Sequence, residues 1–487
     1  MARTASDRRT PAQIDDSPHW LSRTAAVAAG ALFLSWPAFY NRFPLLYGDS
    51  MTYLDDGPTV ARAVFLHSFS DYYGVRSFFY SLGILPWHWN VSPWPIVGMQ
   101  CLLVAWVVWL VVRSVAPKHC IPSYLAVVAF LSLLTSVGWY ASFIMPDVLG
   151  PLLYLSIYLL VFAEDTLGRA ERLSLYPIAW WSATAHATHL LLGAALCVLL
   201  ALIALWRRRN SPGRLRAVGE AAAVLAVAAA SQMALHGYLY GKPTLNGERP
   251  PYLMSRMISD GPGKMYLEKN CNHLQWAICR DMKGLTSDSD DFLWNGDGIY
   301  QSASLQGKAQ LLSEEMPLVK ATLRTYPREQ LSVSAANFRQ QLFAFGLYGF
   351  DSSIWILKEF DHAIPAAKTS YMKSRQANDA LPMEELTEIQ WWTVVASLAA
   401  IAALVPLLWR RHSARVAGLG LVVASMVVLN ALVTGVLSVV DDRYECRVIW
   451  LVPLLAGMLL LDWLHQRKTA KAKSRARSAL EQVVVAV

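Results

Sequence analysis

The chain has 487 residues, 55% of them hydrophobic and only 16% charged, where soluble domains carry about 25% charged residues. Several apolar runs reach the roughly 20 residues that cross a bilayer. This excludes an ordinary soluble protein and predicts an all-α polytopic membrane protein. The net charge of +8 lies in short stretches between apolar runs, where Lys and Arg set orientation. It is not a nucleic-acid signal, and no nucleic-acid partner is expected.

Residues 1–23 read as a cytoplasmic tail. Their apolar segment starts too late for a secretory signal, and no small-residue cleavage site follows. The first span is expected over 24–43, between Arg23 and Arg42. A loop over 44–94 leads to span two at 95–113, which Arg113, Lys118 and His119 follow. Span three is placed at 121–143, and span four runs from Pro146-Asp147 to Glu164-Asp165. Residues 175–206 are too long for one untilted crossing of about 20 residues. Cations flank both ends, so the positive-inside rule favours two crossings, five and six. Their outer turn is then Thr184 to His189. Span seven, 217–239, follows Arg214 and Arg216.

The 24–240 core is followed by a polar segment over 241–390, expected to be a periplasmic mixed or helical domain rather than a linker. Residues 305–345 read as mostly helical from their apolar spacing, and 281–298 as loop. Spans eight to ten occupy 391–464, at 391–409, 416–440 and 448–464. The 465–487 tail is basic and suits a cytoplasmic surface of anionic headgroups. Ten crossings with both termini inside bring five basic clusters to the cytoplasm: 113–119, 169–172, 207–216, 410–415 and 467–477. The other face then gathers the 44–94 loop, Asp147, the His186/His189 turn, the 441–447 loop and the 241–390 domain. In a bacterium this is the periplasmic face of the inner membrane.

Ionisable groups at membrane depth are costly to bury, which makes them functional candidates. Asp49 follows the first span directly. Asp147 opens span four, where it either caps the helix or serves a site. His186 and His189 either hydrogen-bond across their turn or face a ligand. Arg443 either pairs with Asp441 or Asp442 or holds an anion, as Arg447 could. Guanidinium binds phosphate oxygens in bidentate fashion, and a carboxylate suits proton removal from a hydroxyl. No phosphate-cradling glycine loop appears, and no His-Glu-x-x-His or paired-cysteine metal motif. No cofactor is expected, and a divalent metal is not indicated. The reactants therefore include a donor already activated in the membrane. Cys101 and Cys197 read as packing residues. Cys271 and Cys279, on an oxidising side, are either a short-loop disulfide or free thiols.

These residues, in this order, resemble the GT-C superfamily of integral-membrane glycosyltransferases, which includes protein O-mannosyltransferases and the enzymes that add aminoarabinose to lipid A. Gly48-Asp49-Ser50 with Tyr53 is similar to the family's acidic motif after the first span. Arg76-Ser77-Phe78-Phe79-Tyr80 is similar to its Arg-x-Pro-x-Tyr stretch, without the proline. Met145-Pro146-Asp147, the 184–189 turn, and Arg443-Tyr444 followed by Pro453 supply the remaining matches. They cover about 24–240 and 441–464.

The resemblance implies a hexosyl- or pentosyltransferase. It would take a polyprenyl-phosphate-linked sugar, invert the anomeric carbon, and serve a periplasmic glycan, lipid or protein acceptor. It implies Asp49 as base and Asp147 as an active-site carboxylate. Arg443, Tyr444, Arg447, His186, His189 and Arg76 would lie on the lipid-phosphate side, with Tyr53 and Tyr80 near sugar or acceptor. Ser50 stands where the family usually has a second acid. The competing expectation is a non-catalytic transporter, envelope-assembly or glycolipid-binding protein. A transporter places its polar residues near the bilayer midplane, whereas these gather at one interface.

Overall fold

Pro37 interrupts the first apolar run. Its ring excludes a hydrogen bond to the carbonyl four residues back, so α1 (Trp20–Leu34) stops and α2 (Trp36–Asn41) begins at a new angle. The Phe33 carbonyl freed by this break accepts from the Ser132 hydroxyl at 2.5 Å. The computed structural model describes residues 20–70, 73–206, 212–247, 249–408 and 413–485, with Pro212 and residues beyond Lys468 described by backbone only. The 1–19 tail and the Arg207-Arg208-Arg209 and Arg410-Arg411-His412 clusters lie outside the described residues.

All the regular elements described are helical, and one isolated bridge, Leu45 to Phe143, is the extended pairing found among them. After α1 and α2 come α3 (Gly48–Leu66), α4 (Phe78–His88), α5 (Trp94–Val115), α6 (Cys120–Leu134) and α7 (Val137–Ala141). Then follow α8 (Leu149–Phe162), α9 (Arg169–Thr184), α10 (Ala187–Trp206) and α11 (Pro212–Tyr240). The 241–390 segment holds α12 (Tyr252–Ser259), α13 (Pro262–Asn270), α14 (Ser289–Leu293), α15 (Ile299–Ser302), α16 (Leu305–Thr325), α17 (Pro327–Phe343), α18 (Ile354–Ala363) and α19 (Lys368–Tyr371). The last are α20 (Met383–Leu408), α21 (Ala414–Leu437), α22 (Asp442–Ile449) and α23 (Leu451–Val485).

Seven described helical stretches are long and apolar enough to cross a membrane: Trp94–Val115, Pro117–Leu134, Ala187–Trp206, Gly213–Tyr240, Met383–Leu408, Ala414–Leu437 and Asp442–Lys468. The protein is thus an α-helical polytopic membrane protein by the length and composition of its helices. The other expected crossings fall on shorter helices: α1 with α2, the apolar Pro146–Phe162 stretch, and α9. The 175–206 run is broken at Ala185 and His186 into α9 and α10.

The segment over 241–390 is helical, and it divides. Met254, Ile258, Leu267, Ile278, Phe292, Leu311 and Leu318 form a small core of their own. Phe345 to Met383 instead joins the main core, with Phe350 against Phe143 and Tyr371 against Phe43. The 281–298 stretch, expected as loop, contains the short α14, whose start Asp288 caps through the Asp290 N–H.

Candidate functional site at one end of the helix bundle

Two loops meet beneath the candidate carboxylates. The Leu45 N–H donates to the Ser142 carbonyl, and the Ile144 N–H donates to the Leu45 carbonyl, each at 3.0 Å. This short pairing ties the start of α3, which carries Asp49, to the turn at Pro146–Val148, which carries Asp147. Buried amides hold the irregular backbone on either side. Gln376 brackets Leu46, accepting from its N–H at 3.0 Å and donating to its carbonyl at 2.6 Å. Gln100 donates to the carbonyls of Ala141 and Phe143 and accepts from the Tyr80 hydroxyl at 2.7 Å. These amides give partners to backbone groups buried in an apolar interior.

Asp49 sits in the first turn of α3, where the helix dipole favours an anion. Its carboxylate accepts from Arg76 at 2.5 Å, and the two side chains are 17% and 24% exposed. Burial opposes the Arg76 charge, yet Asp49 holds its pKa above the usual guanidinium range. The Arg76 guanidinium also lies 5.1 Å from the Trp294 ring, which the 241–390 segment contributes. Ser50, standing where a second acid was expected from the resemblance, accepts from the Tyr47 N–H at 2.8 Å and is fully buried. It closes the start of the helix.

Asp147 is buried, and no cap hydrogen bond is made by the residue that starts its turn. Its carboxylate faces two guanidiniums, Arg447 at 3.4 Å and Arg443 at 3.9 Å. These arginines stand four residues apart on α22, hence on one face. Asp441 accepts from the Arg443 backbone N–H at 2.7 Å, so it caps α22 and leaves the guanidinium free of it. Arg443 lies over the Tyr47 ring at 4.6 Å and the Tyr444 ring at 5.2 Å. Arg447 donates to Asn430 at 2.9 Å, and Asn430 in turn donates to Glu445 at 2.9 Å. Even so, Arg443 Nε and Nη1 and Arg447 Nε are buried without a hydrogen-bond partner, the Arg443 Nε standing 3.9 Å from Asp147. Two cations share one carboxylate, and donor capacity is left over.

The histidines meet with ring centroids 5.3 Å apart. His186 shares Nδ1 with the Thr188 hydroxyl at 2.8 Å. Desolvation, with the cations of Arg447, Arg443 and Arg76 and the neighbouring His189, pushes its pKa well below the usual imidazole range. A neutral His186 follows. His189 Nδ1 bonds the Ser182 carbonyl at 2.9 Å, which leaves Nε2 as the acceptor nitrogen. That Nε2 is buried, has no hydrogen-bond partner and packs against Gly150, where an added Cβ would stand 2.9 Å away. Tyr53 and Tyr80 are buried and meet edge-on at 4.8 Å, with burial pushing both phenols up.

Of the residues singled out from sequence, Asp49, Arg76, Tyr53 and Tyr80 thus form one group. Asp147, Arg443, Tyr444, Arg447, His186 and His189 form a second against it. The charges of Asp49, Asp147, Arg76 and Arg443 all act on the Tyr53 hydroxyl. Cys271 and Cys279 lie apart in the small second core, joined as a disulfide. Sequence reasoning missed Gln100, Gln376, Asn430, Glu445 and Trp294. The signal for Gln100 and Asn430 was a lone amide inside an apolar span, which rarely stands there without a hydrogen-bonding partner. Among the described residues no three His, Cys, Asp or Glu side chains converge to hold a metal ion.

An open cleft of about 750 Å³ lies elsewhere, between Phe162, Arg169 and Arg214. It is at the far end of α8, whose 14 residues span about 21 Å at 1.5 Å per residue. No family model matches the chain, and no curated protein or solved structure matches it.

Proposed function

We propose that this protein is a GT-C-like membrane glycosyltransferase that moves a sugar from a polyprenyl phosphate to a hydroxyl of a glycan, lipid or protein acceptor. The observation that carries this reading is the surplus of buried, unpartnered N–H groups on Arg443 and Arg447 beside Asp147. Buried donors without partners are costly, and two fixed guanidiniums suit the oxygens of a phosphate. In this reading Asp147 positions both forks, and the lipid phosphate takes the open donors. Asp49 removes the acceptor proton. The acceptor oxygen then attacks the anomeric carbon from the face opposite the phosphate, and the C1–O bond to phosphate breaks. Polyprenyl phosphate leaves with its negative charge held by the two arginines. The His189 Nε2 accepts from a sugar hydroxyl. The chain crosses the membrane ten times with both termini cytoplasmic, and the cluster faces the periplasm.

A second reading, glycolipid binding without turnover, is favoured by the Asp49–Arg76 ion pair. The Asp49 oxygen that accepts from Arg76 is not open to an acceptor hydroxyl unless Arg76 moves to the phosphate. The two readings separate in cell envelopes from wild-type, deletion and Asp49→Asn strains, compared by mass spectrometry of glycolipid, polysaccharide and protein. Transfer predicts a sugar-sized mass lost alike in the deletion and the Asp49→Asn strain. Full restoration by Asp49→Asn of what the deletion loses would remove Asp49 as the base and leave the binding reading.

A further inference from the structure

At the end of the bundle opposite the carboxylates, nearly every acid has its own cation. Arg113 forks onto Glu171 at 2.5 Å, with Arg23 behind it at 3.1 Å. Arg172 pairs with Glu164 at 2.5 Å and also with Glu220, which Arg216 reaches at 3.2 Å. Arg415 pairs with Asp165. Arg169 and Arg214 are among the cations of this end that make no ion pair to any described residue. Both line the 750 Å³ cleft, together with Arg172 and the carboxylates of Glu164 and Asp165, which are paired with Arg172 and Arg415. Arg214 is half-buried and lies 5.2 Å from the Phe162 ring, which fixes its guanidinium at the cleft wall.

The cleft continues downward into an apolar slot that shares Val161, Phe162 and Arg214 with it and adds Leu200, Ile203 and Val218. Beside the slot α10 exposes Leu202, Leu205 and Trp206, the last at 84%. With the groove's two acids already paired, the free guanidiniums of Arg169 and Arg214 above and the exposed apolar face below are the two halves that an anionic amphiphile requires. A soluble anion would need only the first.

We propose that this cleft binds an anionic glycerophospholipid, with its phosphate on Arg214 and Arg169 and its acyl chains along the exposed face of α10. Phosphate contact by guanidinium is charge-assisted, and basic pockets between membrane helices suit lipid headgroups. Neither arginine belongs to the carboxylate cluster, so this site stands or falls separately from the proposed transfer.

The test reconstitutes the full-length protein and measures retained lipid by native mass spectrometry, offering phosphatidylglycerol against phosphatidylcholine of equal chain length. The wild type is expected to retain phosphatidylglycerol preferentially. Arg214→Ala is expected to cut that preference about fivefold, and Arg169→Ala to cut it less, because Arg169 is more exposed. Arg214→Lys keeps the charge and is expected to recover part of the preference, which a variant with damaged packing would not. Equal retention of the two lipids by the wild type, or an unchanged preference in a folded Arg214→Ala protein, overturns the proposal. A competition arm adds inorganic phosphate. If phosphate displaces the lipid at comparable concentration, the site is an anion site and the lipid assignment fails.

Discussion

The two ends of the same helices treat arginine differently. At the cleft end Arg113 meets a carboxylate in a full fork, and Glu171 also accepts from the Gly168 N–H at 2.8 Å. Arg113 and Arg23 remain 14% and 35% exposed, so water shares their solvation. At the other end Arg447 is 1% exposed and Arg443 11%, and Asp147 is the one described carboxylate that forms an ion pair with either. Buried charge without full pairing is destabilising, so the second arrangement is poor as a fastening. The difference separates ion pairs that close a structure from cations held open inside one.

The sharpest way to break this comparison is to remove each acid in turn. Asp147→Ala strands two buried guanidiniums and is expected to cost about 3–5 kcal/mol, the range for breaking a buried pair. Glu171→Gln strands cations that water can reach, so its cost is expected at about 1–2 kcal/mol. Thermal unfolding in the same detergent measures both. A polyprenyl phosphate added to Asp147→Ala is expected to raise its melting temperature, since the phosphate replaces the missing anion. The same lipid is expected to raise Glu171→Gln only as far as it raises the wild type, whose phosphate site that variant keeps. Equal responses of the two variants would show that the ends do not differ in the way argued.

The carboxylate end holds another uncompensated group, Asp56, between these two in expected size. It is 5% exposed, accepts one bond from the Gly74 N–H at 3.1 Å, and leaves Oδ2 unpartnered. Burial pushes its carboxyl up to about 7 from the model-compound value of 3.8. A raised acid pKa in the folded state means that the unfolded chain loses its proton first. Stability is therefore full below about pH 4, falls as pH rises toward 7, and then levels off. The loss is on the order of 2–4 kcal/mol. Asp56→Asn is expected to flatten this slope in melting curves taken from pH 4 to 8; an unchanged slope would assign the pH dependence to other groups.

The legibility of these features in sequence follows their range. Apolar runs announce helices, so most of the helical layout was readable, and so was the break between α9 and α10, because polar residues interrupt the run there. Arg443 and Arg447 share a face by their four-residue spacing, which sequence shows. Their common partner Asp147 lies about 300 positions away, and no local pattern reveals such a contact. The division of 241–390 was likewise hidden. Phe345 to Met383 is no more polar in style than the stretch before it, and only tertiary packing assigns it to the main core. The proline break in the first span was readable from Pro37, yet a 24–43 span treats that run as continuous.

The smallest expected effect tests whether open donors and acceptors at the carboxylate end serve a ligand. Gly150 faces His189 Nε2 on α8, and a Cβ there would come within 2.9 Å of that nitrogen. Gly150→Ala adds a methyl inside a helix, where alanine is intrinsically favoured by up to about 1 kcal/mol. The crowding of a buried ring works in the opposite direction by about 1–3 kcal/mol. The net stability change is therefore expected to be about 0–2 kcal/mol, destabilising. The imidazole must shift although its Nδ1 is held by the Ser182 carbonyl, and Nε2 moves from its present position. A ligand hydroxyl bound there would be lost while Asp147 and both arginines stay in place. Polyprenyl phosphate lacking the sugar is then expected to bind Gly150→Ala as it binds the wild type, whereas the sugar-loaded lipid binds less well. Equal weakening of both would place His189 on the phosphate rather than on the sugar.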